Sequence, residues 1–263
     1  MASFYDRLKW ITGNKLYTVD EHLWPKNVLA MLRSVGFHEL LEMRPQSAMI
    51  GAESNLRVLK FISGERAEGE EFGRLQEALV NFLPEDEREF LLYAEPYSGM
   101  LEAALNAYMW AYPPKYAADE CPVMPRWWMT GAIDTEKKAV TVAVYDQGAS
   151  IPATLPHSEH WNKIKTRMVS LAARAGLTAP PGDPVYDGTG IRLAMALAKS
   201  KSGLPQHGKG LHTILEVAQR ARSGRLRIIS RNGEYVWETG KKSFSRNLSC
   251  SIGGTLVEWR LHL

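Results

Sequence analysis

The sequence has little cysteine, no long apolar run and no concentrated charge, and each absence excludes a class of protein. Only Cys121 and Cys250 occur among the 263 residues, without a surrounding Cys or His pattern, so neither a disulfide framework nor a zinc site is predicted. No segment is apolar for long enough to cross a bilayer, and the start, MASFYDRLKWITGN, lacks the apolar core of a signal peptide. We therefore expect a cytoplasmic protein with reduced thiols and no membrane partner.

The charge balance does not indicate a nucleic-acid-binding protein. Lysine plus arginine number 32 and aspartate plus glutamate 29, a net charge of +3, and the basic-enriched runs 199–209 and 220–231 are better explained as solvated faces. The aromatic residues around Trp110 and Trp127 could stack on bases, but no focused basic groove accompanies them, which favours core packing. With 45% hydrophobic and 23% charged residues, the composition is typical of a globular chain.

The hydrophobic pattern of the second half predicts a largely antiparallel sheet with helices beside it. From about residue 90 onward the order is a helix, two strands joined by DTEKK, a long helical insertion, a helix, a strand pair with an Asn232-Gly233 hairpin signal, and a final strand, GGTLVEWRLHL. This order predicts an α/β (α+β) two-layer sandwich, with helices on one face of a mixed, mostly antiparallel sheet.

The first part of the chain predicts a smaller α/β segment, residues 1–65, before a larger domain, residues 66–263. LKWITG is predicted as a short strand, WPKNVLAMLRSVGFHELLEM as an amphipathic helix that ends at Gly36, and SNLRVLKFIS as a strand. Two helical patterns broken around Pro84 follow, and the later helix LHTILEVAQRARSG is expected to stop at Gly224.

Two motifs carry side chains suited to the base and the metal of a nucleotide. In EAALNA, Glu102 and Asn106 share a helix face, where a carboxylate can orient a water and an amide oxygen can ligate Mg²⁺. In YDQGASI, Asp146 ends a strand and can accept a hydrogen bond from an exocyclic amine, while Gly148 permits close approach of a flat ring. Taken alone, these motifs also fit an exposed polar pair and a simple turn.

Two further motifs place glycines before a helix and before a strand. In HGKGLHTI, Gly208 and Gly210 precede a helix whose first N–H groups can hold phosphate oxygens, and Lys209 can add a cationic contact. In GGTLVEWRL, the glycines mark a bulge or a close backbone approach beside the hydroxyl of Thr255. A hinge explains the first motif equally well by itself, and a hairpin turn explains the second.

Together, in order and spacing, the four motifs resemble the ATP-binding module of the GHKL superfamily. This superfamily has the Bergerat fold and includes histidine kinases, type II topoisomerases, heat-shock chaperones, mismatch-repair ATPases and anti-sigma-factor kinases. Its N box matches Glu102, Asn106 and Ala107, and its first glycine box matches Asp146, Gly148 and Ile151. Its second glycine box matches Gly208, Gly210 and Leu211, and its closing G-T matches Gly254 and Thr255. The resemblance covers roughly residues 90–263, and residues 152–210 fall where the family keeps its ATP lid.

The resemblance implies ATP and Mg²⁺ as cofactors and a role for each matched residue. Glu102 would position or activate the nucleophile, and Asn106 would ligate the Mg²⁺ that bridges the phosphates. At the adenine end, the nucleotide would be bound by Asp146, Gly148, Ile151 and Thr255. Near the phosphates, it would be bound by Gly208, Lys209, Gly210 and Leu211. Two departures from the family pattern, Ser150 and Gln206, replace motif glycines, so ATP binding is better supported than fast turnover.

Three functions stay open at this level. The first is an ATP·Mg²⁺-binding switch or slow ATPase that works with a protein partner. The second is a protein serine kinase of the anti-sigma-factor type, acting on a STAS-like partner. The third is a non-catalytic Bergerat-fold interaction scaffold. A histidine kinase is disfavoured because neither His22 nor His38 lies in a long dimerisation helix.

The front of the chain carries a weaker resemblance of its own. Its ITGN…GFxELL pattern resembles the trailing part of a STAS unit, reduced in length, within residues 1–65. Dimerisation is common in the GHKL superfamily, so the resemblance also admits a homodimer.

Overall fold

An antiparallel sheet of eight strands forms the centre of the part of the chain that the structure describes. The computed structural model describes residues 2–44, 55–112, 124–158, 161–174, 176, 178–199 and 210–263. The strands follow the order β1-β3-β4-β8-β5-β6-β7, and β2 also pairs with β3. Their bounds are β1 Leu56–Val58, β2 Ile62–Gly64, β3 Trp127–Asp134, β4 Ala139–Asp146, β5 Ser223–Ser230, β6 Gly233–Glu238, β7 Phe244–Asn247 and β8 Thr255–His262.

Ten α-helices lie within the described ranges. They are α1 Ala2–Thr12, α2 Lys26–Ser34, α3 Phe37–Leu40, α4 Gly69–Asn81, α5 Glu89–Leu92, α6 Ala94–Asn106, α7 Ile151–Thr154, α8 Trp161–Arg174, α9 Asp187–Lys199 and α10 Gly210–Arg220. A π-helical turn, Ala107–Ala111, continues α6. Single 3-10 turns occur at Glu21–Leu23, Glu85–Glu87, Leu155–His157 and Pro184–Tyr186.

One face of the sheet and three helices form the main core. Alternate residues of the central strands are buried on this face, because successive side chains of a strand point to opposite sides. They include Trp127 and Ile133 of β3 and Trp259 of β8. The apolar stripes of α4, of α6 with its π-helical turn, and of α10 cover them with Phe72, Leu75, Leu79, Ala103, Ala104, Ala107, Ile214, Leu215 and Val217. The predicted two-layer α/β sandwich is therefore confirmed, and every strand pair in the described sheet is antiparallel.

The first predicted strand, LKWITG, was wrong, because these residues belong to the helix α1. Gly13 ends this helix in the left-handed region, with φ +64° and its N–H donating to the Lys9 carbonyl at 2.9 Å. Asp6 faces the sheet, and its Oδ2 accepts the indole N–H of Trp128 at 2.9 Å. Since Trp128 points away from the main core, α1 contacts the opposite face of the sheet.

Other boundaries also differ from the sequence-based expectations. SNLRVLKFIS forms two short strands, β1 and β2, which both pair with β3, so the 1–65 segment contributes strands to the common sheet. The helix α10 ends at Arg220, and Gly224, predicted as its stop, lies within β5. Strand β7 was not predicted.

The described part of the predicted lid, residues 152–210, forms a second helical cluster fixed to the sheet. Its apolar centre comprises Leu155, Ile164, Met168, Ala172, Tyr186, Leu193 and Ala194. At the start of α9, the buried carboxylate of Asp187 accepts hydrogen bonds from Arg231 Nε at 2.7 Å and from the Asn232 N–H at 3.1 Å. These bonds attach α9 to the turn between β5 and β6.

Candidate functional site

Three neighbouring strands bring polar side chains into one row at an end of the sheet. Asp146 of β4 pairs with Thr255 of β8, which pairs on its other side with Ser230 of β5. Directly paired residues point to the same face, and Trp127, the other partner of Asp146, belongs to the main core. This polar row (Asp146, Thr255 and Ser230) therefore points towards the helical layer. All three residues are buried, with exposures of 7%, 8% and 0%.

Asp146 is a buried carboxyl held by two backbone donors. Its Oδ1 accepts the Gly148 N–H at 2.9 Å, and the backbone of Thr255 also donates to it. Burial nevertheless raises the pKa of Asp146 to about 7, because the loss of water disfavours the charged form more than the two hydrogen bonds favour it. The group therefore changes charge near neutral pH, and in its ionised form it can accept a hydrogen bond from an amine.

Two glycines let the backbone close tightly around Asp146. A Cβ on Gly148 would lie 2.3 Å from the Ala111 carbonyl oxygen, to which the neighbouring Ala149 N–H donates at 2.6 Å. A Cβ on Gly254, where φ is +146°, would lie 2.0 Å from the Asp146 carbonyl oxygen. The close approach that Gly148 permits in this structure is thus to the end of the α6 segment, and it fixes the loop after β4 against that helix.

Glu102, Asn106 and the first residue of α10 meet on one side of the helical layer. A Cβ on Gly210 would lie 2.8 Å from Glu102 Oε2 and 3.3 Å from Asn106 Nδ2. Both side chains are half-buried, and burial raises the pKa of Glu102. The N-terminal end of α10, where the helix dipole is positive, therefore lies beside a carboxyl and a carboxamide.

Ser150 and Ile151 connect the polar row to the helical cluster of the lid region. Ser150 has ordinary extended angles, φ −77° and ψ 159°, and its Oγ accepts the Ala153 N–H at 3.3 Å, so it caps α7 where the family has a glycine. Ile151 donates its N–H to Ser230 Oγ at 2.8 Å. Ile151 and Leu211 both pack against the main core and against the lid cluster.

Part of the predicted site lies outside the described residues. This holds for Gly208 and Lys209, and for Gln206, which replaces a motif glycine. A narrow gap lies in the main core, and a cavity of about 300 Å³ lies at the opposite end of β5 and β8 beside Ser223 and His262. Neither is lined by a predicted site residue. No group of three or more His, Cys, Asp or Glu side chains within the described ranges is placed to hold a metal.

Two residues that the motifs do not include also build the site. Tyr112 Oη accepts the Gln147 N–H at 2.9 Å and donates to the Arg126 carbonyl at 2.6 Å, and burial, followed by the nearby Asp146, raises its pKa. Ser230 completes the polar row. Neither residue has a local sequence signal, because both act through contacts with distant parts of the chain.

No protein-family model, curated protein or solved structure matches the chain. The GHKL resemblance, and every residue role it implies, therefore stays a proposal. Within the described residues, no helix combines the length and the apolar character needed to cross a bilayer.

Proposed function

We propose that the protein binds ATP·Mg²⁺ in a Bergerat-type site and acts as a nucleotide-controlled switch or slow ATPase with a protein partner. The observation that carries this proposal is the meeting of Gly210, Glu102 and Asn106, three residues from two motifs more than 100 positions apart in the chain. The polar row, which includes Asp146 and Thr255 from the other two motifs, points towards the same helical layer.

The side chains present fit the chemistry of the nucleotide. The Asp146 carboxylate would accept a hydrogen bond from the exocyclic amine of adenine, and the positive N-terminal end of the α10 dipole would attract phosphate oxygens. The amide oxygen of Asn106 would contribute to Mg²⁺ binding, in keeping with the preference of this ion for oxygen ligands. When bound, Mg²⁺ supplies charge neutralisation between the phosphates.

Glu102 is the residue that would act on the nucleophile. Burial raises its pKa, which makes the carboxylate a stronger base than an exposed glutamate. Placed beside the start of α10, it would orient an attacking hydroxyl group, and this geometry suits water or the serine hydroxyl of a partner protein equally well.

The exposed apolar surface of the front segment supports the protein partner. Exposed apolar side chains are a preferred contact for another protein. Within residues 4–31 the large exposed hydrophobic side chains are Phe4, Tyr5, Trp10, Ile11, Tyr17, Val19, Leu23, Val28 and Met31. Sedimentation velocity at micromolar concentration distinguishes the candidates, because a monomer would exclude the homodimer and leave a different protein, such as a STAS-like one, as the partner.

Calorimetric titration with ATP·Mg²⁺ tests the binding proposal. We expect wild-type protein to bind, Asp146→Asn to bind at least tenfold more weakly, and Asp86→Asn, which changes an exposed carboxylate, to bind like wild type. Undiminished binding by Asp146→Asn would refute the adenine assignment. If neither ATP nor ADP binds or raises the melting temperature, the scaffold function replaces the proposal.

The fate of the γ-phosphate separates the ATPase from the serine kinase. Incubation with γ-labelled ATP and a co-encoded STAS-like protein gives free phosphate in the first case and a labelled serine in the second. Glu102→Gln should slow either reaction while ATP binding persists, because the amide cannot accept a proton.

A further inference from the structure

Two arginines stand directly opposite each other on the sheet face that points away from the main core. Arg225 of β5 pairs with Arg260 of β8, which places their Cβ atoms about 5 Å apart. Their neighbours Leu226, Trp259 and Leu261 belong to the main core, and successive residues of a strand point to opposite faces. Both arginines are half-buried. Like charges directly opposite each other destabilise a sheet, so this pair lowers stability unless an anion offsets it.

Neither guanidinium group has a carboxylate partner among the residues that the structure describes. The next arginine on the same face of β5 is paired, because Arg227 donates to the buried carboxylate of Glu234 at 2.7 Å. Glu238 faces Arg225 from β6, but its Oε1 lies 2.8 Å from Lys241 Nζ. The hydrogen bond from Lys241 is the main cause that lowers the pKa of Glu238, and the charge of Arg225 contributes least.

The cavity of about 300 Å³ at this end of β5 and β8 adjoins the two arginines. Its other lining residues are Ser223, Gly224, Glu238 and His262. Ser223 and His262 are paired with each other, each two positions from an arginine on its own strand, so all four side chains share one face. The serine hydroxyl and the imidazole can each donate a hydrogen bond beside the two positive charges. The volume suits a small ligand.

The charges and donors identify the chemical class of that ligand. A carboxylate has one negative charge and two oxygens, which a single arginine can satisfy. A phosphate monoester carries a charge of about −1.5 to −2 at pH 7 and offers three oxygens, so two guanidinium groups can bind it at once. We propose that Arg225, Arg260 and His262 form an anion site for phosphate or a phosphate monoester. The site lies on the sheet face opposite the polar row, and its occupation does not require the proposed nucleotide binding.

Calorimetric titration of the full chain with phosphate at pH 7.5, at constant ionic strength and without nucleotide, tests the site. We expect wild-type protein to bind phosphate with a Kd of about 1 mM or below, and acetate at least about tenfold more weakly. Arg225→Met and Arg260→Met should each weaken phosphate binding at least about tenfold, because methionine keeps an apolar stem without the charged hydrogen-bond donors. The control Arg74→Met removes the same charge at an exposed position on α4 and should bind phosphate like wild type.

Glycerol 3-phosphate distinguishes the two sources of the phosphate group. Tighter binding than inorganic phosphate would indicate a phosphorylated compound and weaker binding the free ion, and both results support the anion site. Arg260→Lys keeps the charge without the planar fork, so it should retain part of the affinity and provides a second variant if Arg260→Met does not fold.

Absence of phosphate binding to wild-type protein would overturn the inference. Undiminished binding in both methionine variants would overturn it as well, and a loss in Gly210→Ala would then place the phosphate at the start of α10. Asp146→Asn should bind phosphate like wild type, because its side chain points to the other face of the sheet. Failure of ATP to bind, with phosphate binding intact, would refute the proposed function and leave the anion site standing.

Discussion

Replacing Asp146 by asparagine should remove a specific pH dependence of folding stability. The folded protein holds this carboxyl with a pKa of about 7, whereas the ordinary value is 3.8. Between these two pH values the folded state binds the proton more tightly than the unfolded state does. The contribution of Asp146 therefore stabilises the protein at acidic pH and is lost as the pH rises through the folded pKa.

The size of the effect follows from the two pKa values. A carboxyl with these pKa values contributes about 3 kcal/mol to the free energy of unfolding at pH 5 and almost nothing at pH 8. Wild-type protein should thus lose about 3 kcal/mol between pH 5 and pH 8 through this group. Asp146→Asn should lack this part of the pH dependence, because the amide does not titrate in that range.

Urea unfolding without nucleotide, at pH 5 and at pH 8 and at equal ionic strength, measures both proteins. The difference between them isolates Asp146, because all other titrating groups are common to both. Asp86→Asn, on an exposed 3-10 turn, serves as the matched control and should follow wild type. The reasoning is refuted if wild type and Asp146→Asn show the same pH dependence within about 0.5 kcal/mol, a spread typical of surface substitutions.

Three further predictions concern the nucleotide and the attachment of α9. Adenosine should bind about tenfold more tightly at pH 8 than at pH 6, because the fraction of ionised Asp146 rises about tenfold between these pH values around a pKa of about 7. Equal affinities at the two pH values in calorimetric titration would contradict this prediction. Gly210→Ala should weaken ATP binding while changing the urea midpoint little, since its Cβ meets only the ends of side chains; unchanged affinity would remove α10 from the site. Arg231→Ala should destabilise the protein by about 3 to 5 kcal/mol in the same urea assay, because it leaves the buried carboxylate of Asp187 without its cationic partner. The control Lys241→Ala removes an exposed ion pair and should destabilise the protein by less than about 1 kcal/mol.

The strands of the second half could be predicted because their burial repeats every second residue. From Met129 in β3 and from Val140 in β4 onward the buried residues alternate, and this alternation is visible in WWMTGAID and AVTVAVYD. Strand β7 shows no such pattern, since Phe244 at its start is exposed and the strand lies at the sheet edge. Helix α1 was mistaken for a strand because its apolar residues outweighed the ending signal of Gly13.

The motifs point to Gly210 and Glu102, which lie close together in the structure, but they do not indicate what supports the candidate site. Gly210 and Glu102 carry motif spacing that is readable from the sequence, and the structure brings them together. Ser230 depends on the register of β5 against β8, and Tyr112 depends on contacts across the loop after β4. Register and long-range contacts are set by packing of the whole sheet, which no local pattern encodes.

Strand β8 has a consequence for how the site can come into being. It follows every other strand of the sheet in the sequence, yet it lies in the middle, between β4 and β5. Until it inserts, β3 with β4 and β5 with β6 and β7 are two separate antiparallel units, and the carboxyl of Asp146 lacks the Thr255 donor. A ribosome-bound chain that has not yet released residues 255–262 would therefore lack the strand that joins the two halves, and the proposed nucleotide site would be complete only after β8 is in place.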